Sequence, residues 1–246
     1  MADLIVGADE AGTGAWCGPL TACAVIAPRG WGLPGLNDSK QLTFKARWEL
    51  RERLLADPDI RFYLGWRTST EIDASRLGKA LKAAYAEILG DALAEAPDAE
   101  VIVDGTIRVP GIVHRSEPKA DAKYPAVMAA SILAKTSRDH WMIYEAHRRF
   151  PVYGWDSNMG YHAHDHVAGL DIHGPCELHR FSYAPIRKYA ELFSGRHDEP
   201  FGGIVHPHLT ENAVDAPEDR VQVPRTVGPS LQLELYGDDL GGLGRH

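Results

Sequence analysis

Cysteine is scarce in this chain: Cys17, Cys23 and Cys176 are the three among 246 residues. An odd number without paired spacing argues against a disulfide framework and against a thiolate metal knuckle. These residues read instead as small core or near-surface side chains in a reducing, cytoplasmic setting. Long apolar runs are absent too, and no stretch approaches the roughly 20 residues that cross a bilayer. No membrane partner is expected. The N-terminus, MADLIVGADE, lacks the basic region, apolar run and small-residue cleavage site of a signal peptide. There is no internal repeat. Positive charge is in deficit, with a net charge of −8, which argues against a strong nonspecific grip on nucleic acid.

The charge that is present is unevenly placed. Residues 195–246 hold four Arg, no Lys and nine Asp or Glu. Residues 105–149 carry eight Lys or Arg against four Asp or Glu, a basic excess suited to phosphate. Residues 3–8 and 20–27 are apolar, partly β-branched runs across a Gly-rich turn and predict a hairpin. Residues 60–66, 101–105 and 111–115 read as three further strands. Helical spacing marks 43–56 with Thr43 as N-cap, 70–95, and 125–147. Ala126, Ala129, Ala130 and Ala134 on the last of these would let it approach a sheet closely. The order predicts an α/β domain, a mixed five-stranded sheet flanked by helices. Loops and shorter helices run on to about residue 194. From 195 to 246 Gly, Pro, Asp and His dominate and periodicity fades, which predicts an acidic, flexible tail.

Four acidic residues stand in separate phrases: Asp9 and Glu10 in IVGADEAGTG, Asp104 in VIVDG and Asp121 in PKADAKYP. Each sits at the end of a predicted strand or in the loop entering a long helix, so a sheet edge can collect them. Clustered carboxylates repel and raise one another's pKa. Oxygen-only ligands suit hard cations such as Mg²⁺ or Mn²⁺. Neighbours on an extended strand point to opposite faces, so Asp9 and Glu10 share one site only if the strand ends there. Read alone, that pair also fits a solvated surface, Asp104 fits a turn or cap, and Asp121 fits a solvated charge run.

Taken together, the phrases GADEAGTGAWCGPL, LNDSKQLT, VDG, KADAKYPAVMAASILAKTSRDHWM, GYHAHDH and HGPCELHRFSYAPIRK resemble the type 2 ribonuclease H (ribonuclease HII) family, over about residues 3–190. The resemblance implies a ribonuclease H-like catalytic domain over 1–194, a C-terminal helical extension and the tail. It implies Asp9, Glu10, Asp104 and Asp121 as catalytic carboxylates holding two divalent ions, Mg²⁺ or Mn²⁺. The substrate class would be an RNA–DNA hybrid, or duplex DNA containing ribonucleotides, cut to a 5′-phosphate and a 3′-hydroxyl by a monomer. Gly12, Thr13 and Gly14 fall where the family has a Gly-Arg-Gly phrase that probes the 2′-hydroxyl. Tyr161 matches the tyrosine that stacks on the following deoxyribose. Ser39 and Lys40 match a phrase near the substrate backbone, and Asp139 is a further match beside Ser131 and Lys135. Met159 replaces a usual lysine.

Three other readings compete. His162, His164 and His166 suggest a zinc-dependent hydrolase. A hybrid-binding protein without catalysis would keep the fold and discard the carboxylates. The phrase around Gly12 invites nucleotide binding but lacks the third glycine and the later acidic partner. The Thr13 and Met159 substitutions both remove positive charge, which predicts weaker substrate binding and a steeper loss of activity with salt than in relatives that keep the Arg. Thr13→Arg is therefore expected to tighten hybrid binding at low salt by roughly two- to fivefold, the scale of one exposed charge. A titration that shows no gain would refute this.

Overall fold

The computed structural model describes residues 3–37, 39 and 41–194. The sequence-predicted tail at 195–246, and Lys40, lie outside the described residues. Five strands form one mixed sheet: β1 (Leu4–Ala11), β2 (Leu20–Pro28), β3 (Arg61–Arg67), β4 (Glu100–Asp104) and β5 (Arg115–Glu117). Their spatial order is β3-β2-β1-β4-β5. β1 and β2 are the expected antiparallel hairpin, with Ala8 opposite Ala24. β1 also pairs parallel with β4, with Ala8 beside Val103.

The helices are α1 (Phe44–Leu55), α2 (Ser69–Ser75), α3 (Leu77–Glu95), α4 (Pro125–Trp141), α5 (His147–Arg149), α6 (Trp155–Asn158), α7 (His164–His173) and α8 (Ala184–Phe193). Thr43 caps α1 as expected, its Oγ1 accepting from the Ala46 N–H at 3.2 Å. Thr68 and Glu71 form a reciprocal capping box on α2, which satisfies two otherwise orphaned backbone donors.

The pleat sorts the sheet's residues. Cys23, Val25 and Ala27 of β2 pack with Leu50 and Leu54 of α1 and Ala126, Ala129 and Ala130 of α4. Ala22, Ala24 and Ile26 face the other way, onto Ala84, Tyr85, Ile88 and Leu89 of α3. Each large aliphatic side chain buried this way contributes about 1.5–3 kcal/mol. The small face of α4 lies nearly in contact with β1. A Cβ added at Gly7 would stand 2.4 Å from the carbonyl carbon of Ala126.

Three sequence expectations need correction. The predicted helix over 70–95 is two helices, because Arg76 adopts φ +69 and turns the chain. The break frees Asp73 to accept from the Phe181 and Ser182 amides at 2.8 and 2.9 Å. The strand expected at 111–115 begins only at Arg115. Before it, His114 folds its ring back onto the Ile112 and Ile107 carbonyls, and Val113 is exposed. The helix expected over 125–147 is α through Trp141 and then widens into a π-type turn over Met142–Ala146. That turn carries Met142 and Ala146 into the core.

Gly7→Ala should cost about 3 kcal/mol, since backbone and not a flexible side chain fills the space. A urea midpoint unchanged from wild type would refute the close approach.

Candidate active site

Strand alternation decides where the acidic residues go. Gly7 and Asp9 share the α4 face of β1, while Ala8 and Glu10 share the α3 face. Because Ala8 lies beside Val103, the next residues, Asp9 and Asp104, lie side by side at the carboxyl ends of β1 and β4. Gly105, at φ +83, turns the chain out of β4, and its N–H donates to the Glu117 carbonyl at 3.1 Å. Asp121 sits in a single 3₁₀ turn (Ala120–Ala122) just ahead of α4, entered through Lys119 in the left-handed region. Asp104 Oδ1 accepts from the Ala120 N–H at 2.7 Å, so β4 and this turn are tied at the site itself.

Asp9, Asp104 and Asp121 each offer a carboxylate oxygen, and these oxygens all lie within 4.8 Å of one another. Asp9 and Asp121 are buried and Asp104 half-buried. Asp9 accepts from its neighbour's amide (Glu10 N–H) at 2.8 Å, and the Ser131 hydroxyl nearby acts to lower its pKa. Burial, then the charge of Glu10, pushes its carboxyl well above the usual range, and Asp104 adds to the rise. The site thus holds more negative charge than its hydrogen bonds offset. Hard oxygen donors at this spacing fit a divalent cation.

Glu10 stands outside that set of three. β1 runs one residue past it, to Ala11, which puts Glu10 on the α3 face, close enough for its charge to raise the Asp9 carboxyl. Glu10 instead accepts a hydrogen bond from the Tyr85 hydroxyl of α3. Burial, then Glu10, drives the Tyr85 phenol well above its ordinary pKa, so it stays a donor. Tyr85 is a site residue that helical spacing marks only as core; nothing in its position discloses the hydroxyl's partner.

The remaining predicted residues fall into two groups. Ser39 is buried, its Oγ 2.9 Å from that of Ser131, so it supports Asp9 at one remove. Gly12 has φ +91, and a Cβ there would meet Arg138 Nε at 2.2 Å. Gly14 is exposed with nothing within 4 Å of an added Cβ, which leaves its backbone open to a ligand. Thr13 is gripped through its carbonyl, which accepts from Tyr183 Oη at 2.6 Å and Arg180 Nη1 at 3.4 Å.

Tyr161 is half-buried, with Lys135 Nζ and Arg138 Cζ each 5.2 Å from its ring centre. Lys135 also bonds Asp139 at 2.7 Å. Asp139 is not part of the carboxylate set, and Arg138 gives its own donors to the carbonyls of Pro19, Met159 and Cys17. Met159 is buried at φ +52. Arg138 and Arg180, both fully buried, hold the loop after β1 from behind. Sequence reading missed that role, since arginine is rarely buried.

The three histidines of HAHDH do not converge. His162 and His164 are exposed, and only His166 points inward.

Acidic side chains at the carboxyl ends of adjacent strands, on a mixed five-stranded sheet, define a ribonuclease H-type nuclease, a phosphodiester hydrolase. The Ribonuclease HII family model matches residues 6–186, and the chain belongs to that family. Ribonuclease HII of Chlamydia caviae is 41% identical over 185 residues, covering 75% of this chain and 86% of the relative. The crystal structure of ribonuclease H2 from Pyrococcus horikoshii OT3 is similar at TM-score 0.59 and 24% identity, over 78% of this chain and 99% of that one. Bst-RNase HIII, solved in complex with Mn²⁺, superposes at TM-score 0.64 with 19% identity, over 79% of this chain and 71% of that one.

Native Asp9 keeps its proton to higher pH than an unfolded aspartate, whose pKa is about 3.9. The metal-free native state therefore binds more protons, and its stability falls as pH rises from there through the native value. Asp9→Asn is expected to flatten that dependence and to raise the metal-free Tm near pH 7.5 by about 2–4 °C, the effect of about 1 kcal/mol in a domain of this size. Thermal melts across pH in chelator decide it, and a lowered Tm at neutral pH would refute the argument.

Proposed function

We propose that this protein hydrolyses the RNA strand of RNA–DNA hybrids and nicks duplex DNA on the 5′ side of an embedded ribonucleotide. The observation that carries the reading is the convergence of Asp9, Asp104 and Asp121 in a member of the ribonuclease HII family. Catalysis is assigned to residues 1–194. The carboxylates of Asp9, Asp104 and Asp121, with Glu10 beside them, would hold two divalent ions, Mg²⁺ or Mn²⁺. When bound, such ions supply Lewis-acid chemistry for an in-line displacement, serving the attacking water and the leaving 3′ oxygen.

The chain's own residues prepare the rest. Ser131 and the Glu10 amide fix Asp9. Tyr85 fixes Glu10, and the Ala120 amide fixes Asp104. Fixed carboxylates need little reorganisation when charge develops at the phosphate, which is where electrostatic catalysis gains most. The exposed backbone at Gly14 and the neighbouring Thr13 would face the 2′-hydroxyl, the group that separates RNA from DNA. Tyr161, with Lys135 and Arg138 packed against its ring, would stack on the deoxyribose that follows the ribonucleotide. Attack of water on phosphorus with departure of the 3′ oxygen would leave a 5′-phosphate and a 3′-hydroxyl, and no side chain is required as a covalent nucleophile.

The test is a duplex carrying one ribonucleotide, incubated with Mg²⁺ or Mn²⁺. Wild type should nick 5′ of the ribonucleotide, and Asp104→Asn should lose about 10²–10³-fold in rate. Equal rates for both proteins, or cleavage with zinc alone, would overturn the assignment. Loss of all activity on truncation after Ser194 would overturn the placement of catalysis in residues 1–194.

A further inference from the structure

On the far side of the loop after β1 a second set of ligating atoms converges. Cys17, His166 and His179 each offer one, all within 4.8 Å of one another, and all three residues are fully buried. They come from three segments: Cys17 from the β1–β2 connection, His166 from α7, and His179 from the chain leading to α8. A backbone bridge between Cys17 and His179 holds two of them in register. We propose that Cys17 Sγ, His166 Nε2 and His179 Nε2 form a binding site for a soft monovalent d¹⁰ ion such as Cu⁺.

The hydrogen bonds choose the ligating atoms. His166 Nδ1 stands 2.9 Å from the Tyr161 carbonyl, which can only accept, so Nδ1 carries the proton and Nε2 keeps its lone pair. His179 Nδ1 accepts from the Cys176 N–H at 3.0 Å, which puts its proton on Nε2. The two Nε2 atoms are 3.0 Å apart. The Trp155 indole N–H also donates to His166 Nε2, at 3.3 Å, so two N–H donors share that lone pair beside a thiol, and an ion would displace both. Two nitrogens on one metal at about 2.0–2.1 Å each would stand roughly 3.3 Å apart in tetrahedral geometry, a small spreading from the observed distance. Burial holds both imidazoles below their ordinary pKa, so neither is a cation that would repel metal.

The balance of charge selects the ion. Cys17 must bind as thiolate, and burial pushes its thiol well above the usual range. Arg138 and Arg180, both buried, act against that rise. A thiolate with a monovalent ion is neutral. A divalent ion would leave a net positive charge buried next to two guanidinium groups, which is costly. Soft sulfur and imidazole ligands favour Cu⁺ on their own account. Tyr153 and Trp155 pack their rings against His179, at 4.8 and 5.4 Å between centroids, and wall the site off from water.

On loading, the Cys17 proton is released to solvent. The His179 proton moves from Nε2 to Nδ1, where Cys176 Sγ at 3.4 Å and the Cys176 carbonyl at 3.3 Å can accept it. A ligating histidine held by its other nitrogen is the usual arrangement. One proton leaves per ion, and the Cys176 amide and the Trp155 indole N–H both give up their acceptors, which tempers affinity. The ion would staple the loop bearing Gly12, Thr13 and Gly14 to the segment before α8.

The experiment is an anaerobic Cu⁺ titration of the full chain against a chromophoric Cu⁺ chelator, in the Asp104→Asn background, with Zn²⁺ titrated in parallel. The expected result is one Cu⁺ per chain, one proton released, and a Tm rise of about 5–10 °C at a hundredfold excess over Kd. Cys17→Ala should lower affinity at least 100-fold, with Cys17→Ser as the size-preserving variant if alanine unfolds the protein. Cys23→Ala, which removes a buried thiol elsewhere, should bind as the parent does. Absence of Cu⁺ uptake, uptake unchanged in both Cys17 variants, or tighter binding of Zn²⁺ than of Cu⁺ would each overturn the proposal.

Discussion

The parallel register of β1 on β4 is the constraint on which the site depends. It sets Asp9 and Asp104 level with each other on the face that α4 covers. A slip of one residue would send Asp9 toward α3 and dissolve the set. That register is held less by the carboxylates, which repel, than by the apolar residues behind them. Val6, Ala8, Val101 and Val103 are buried in one cluster against α3. On the opposite face, the absence of a side chain at Gly7 lets α4 close down and bring Ser131 to Asp9. Hydrophobic packing on one side and steric permission on the other thus keep charges together that would otherwise separate.

The two faces of β1 also divide the labour of neighbouring acids. Asp9 enters the carboxylate set, and Glu10, on the α3 face, is held by a phenol that burial keeps protonated while its charge still acts on Asp9. One strand supplies both groups because alternation is absolute at a period of two.

Much of this was legible in the residues, and the reasons differ from element to element. Strong local signals were read well: the Thr43 cap, the β1–β2 hairpin and the alanine face of α4 follow from propensity and period. The register was not readable, since Val-rich strands such as VIVDG pair equally well in several alignments. The break at Arg76 and the π-type turn after Trp141 were missed because each depends on distant groups, the amides at 181–182 in one case and core space for Met142 in the other. The late start of β5 was missed because Ile112 and Val113 have strand propensity, while His114 ties this stretch into a loop. At the site, the acidic residues announced themselves by type. Tyr85, Arg138 and Arg180 did not, because their roles lie in a hydrogen bond that only the folded chain creates.

The grip on the loop after β1 has an evolutionary corollary. Arg138 and Arg180 clasp main-chain oxygens, and Arg138 occupies the space where a side chain at Gly12 would sit. Among the described residues, position 13 is held through its carbonyl. Its side chain is therefore a free variable: exchange there can retune surface charge without reshaping the loop, whereas drift at Gly12 would distort the scaffold. Threonine can stand at that position at no architectural expense.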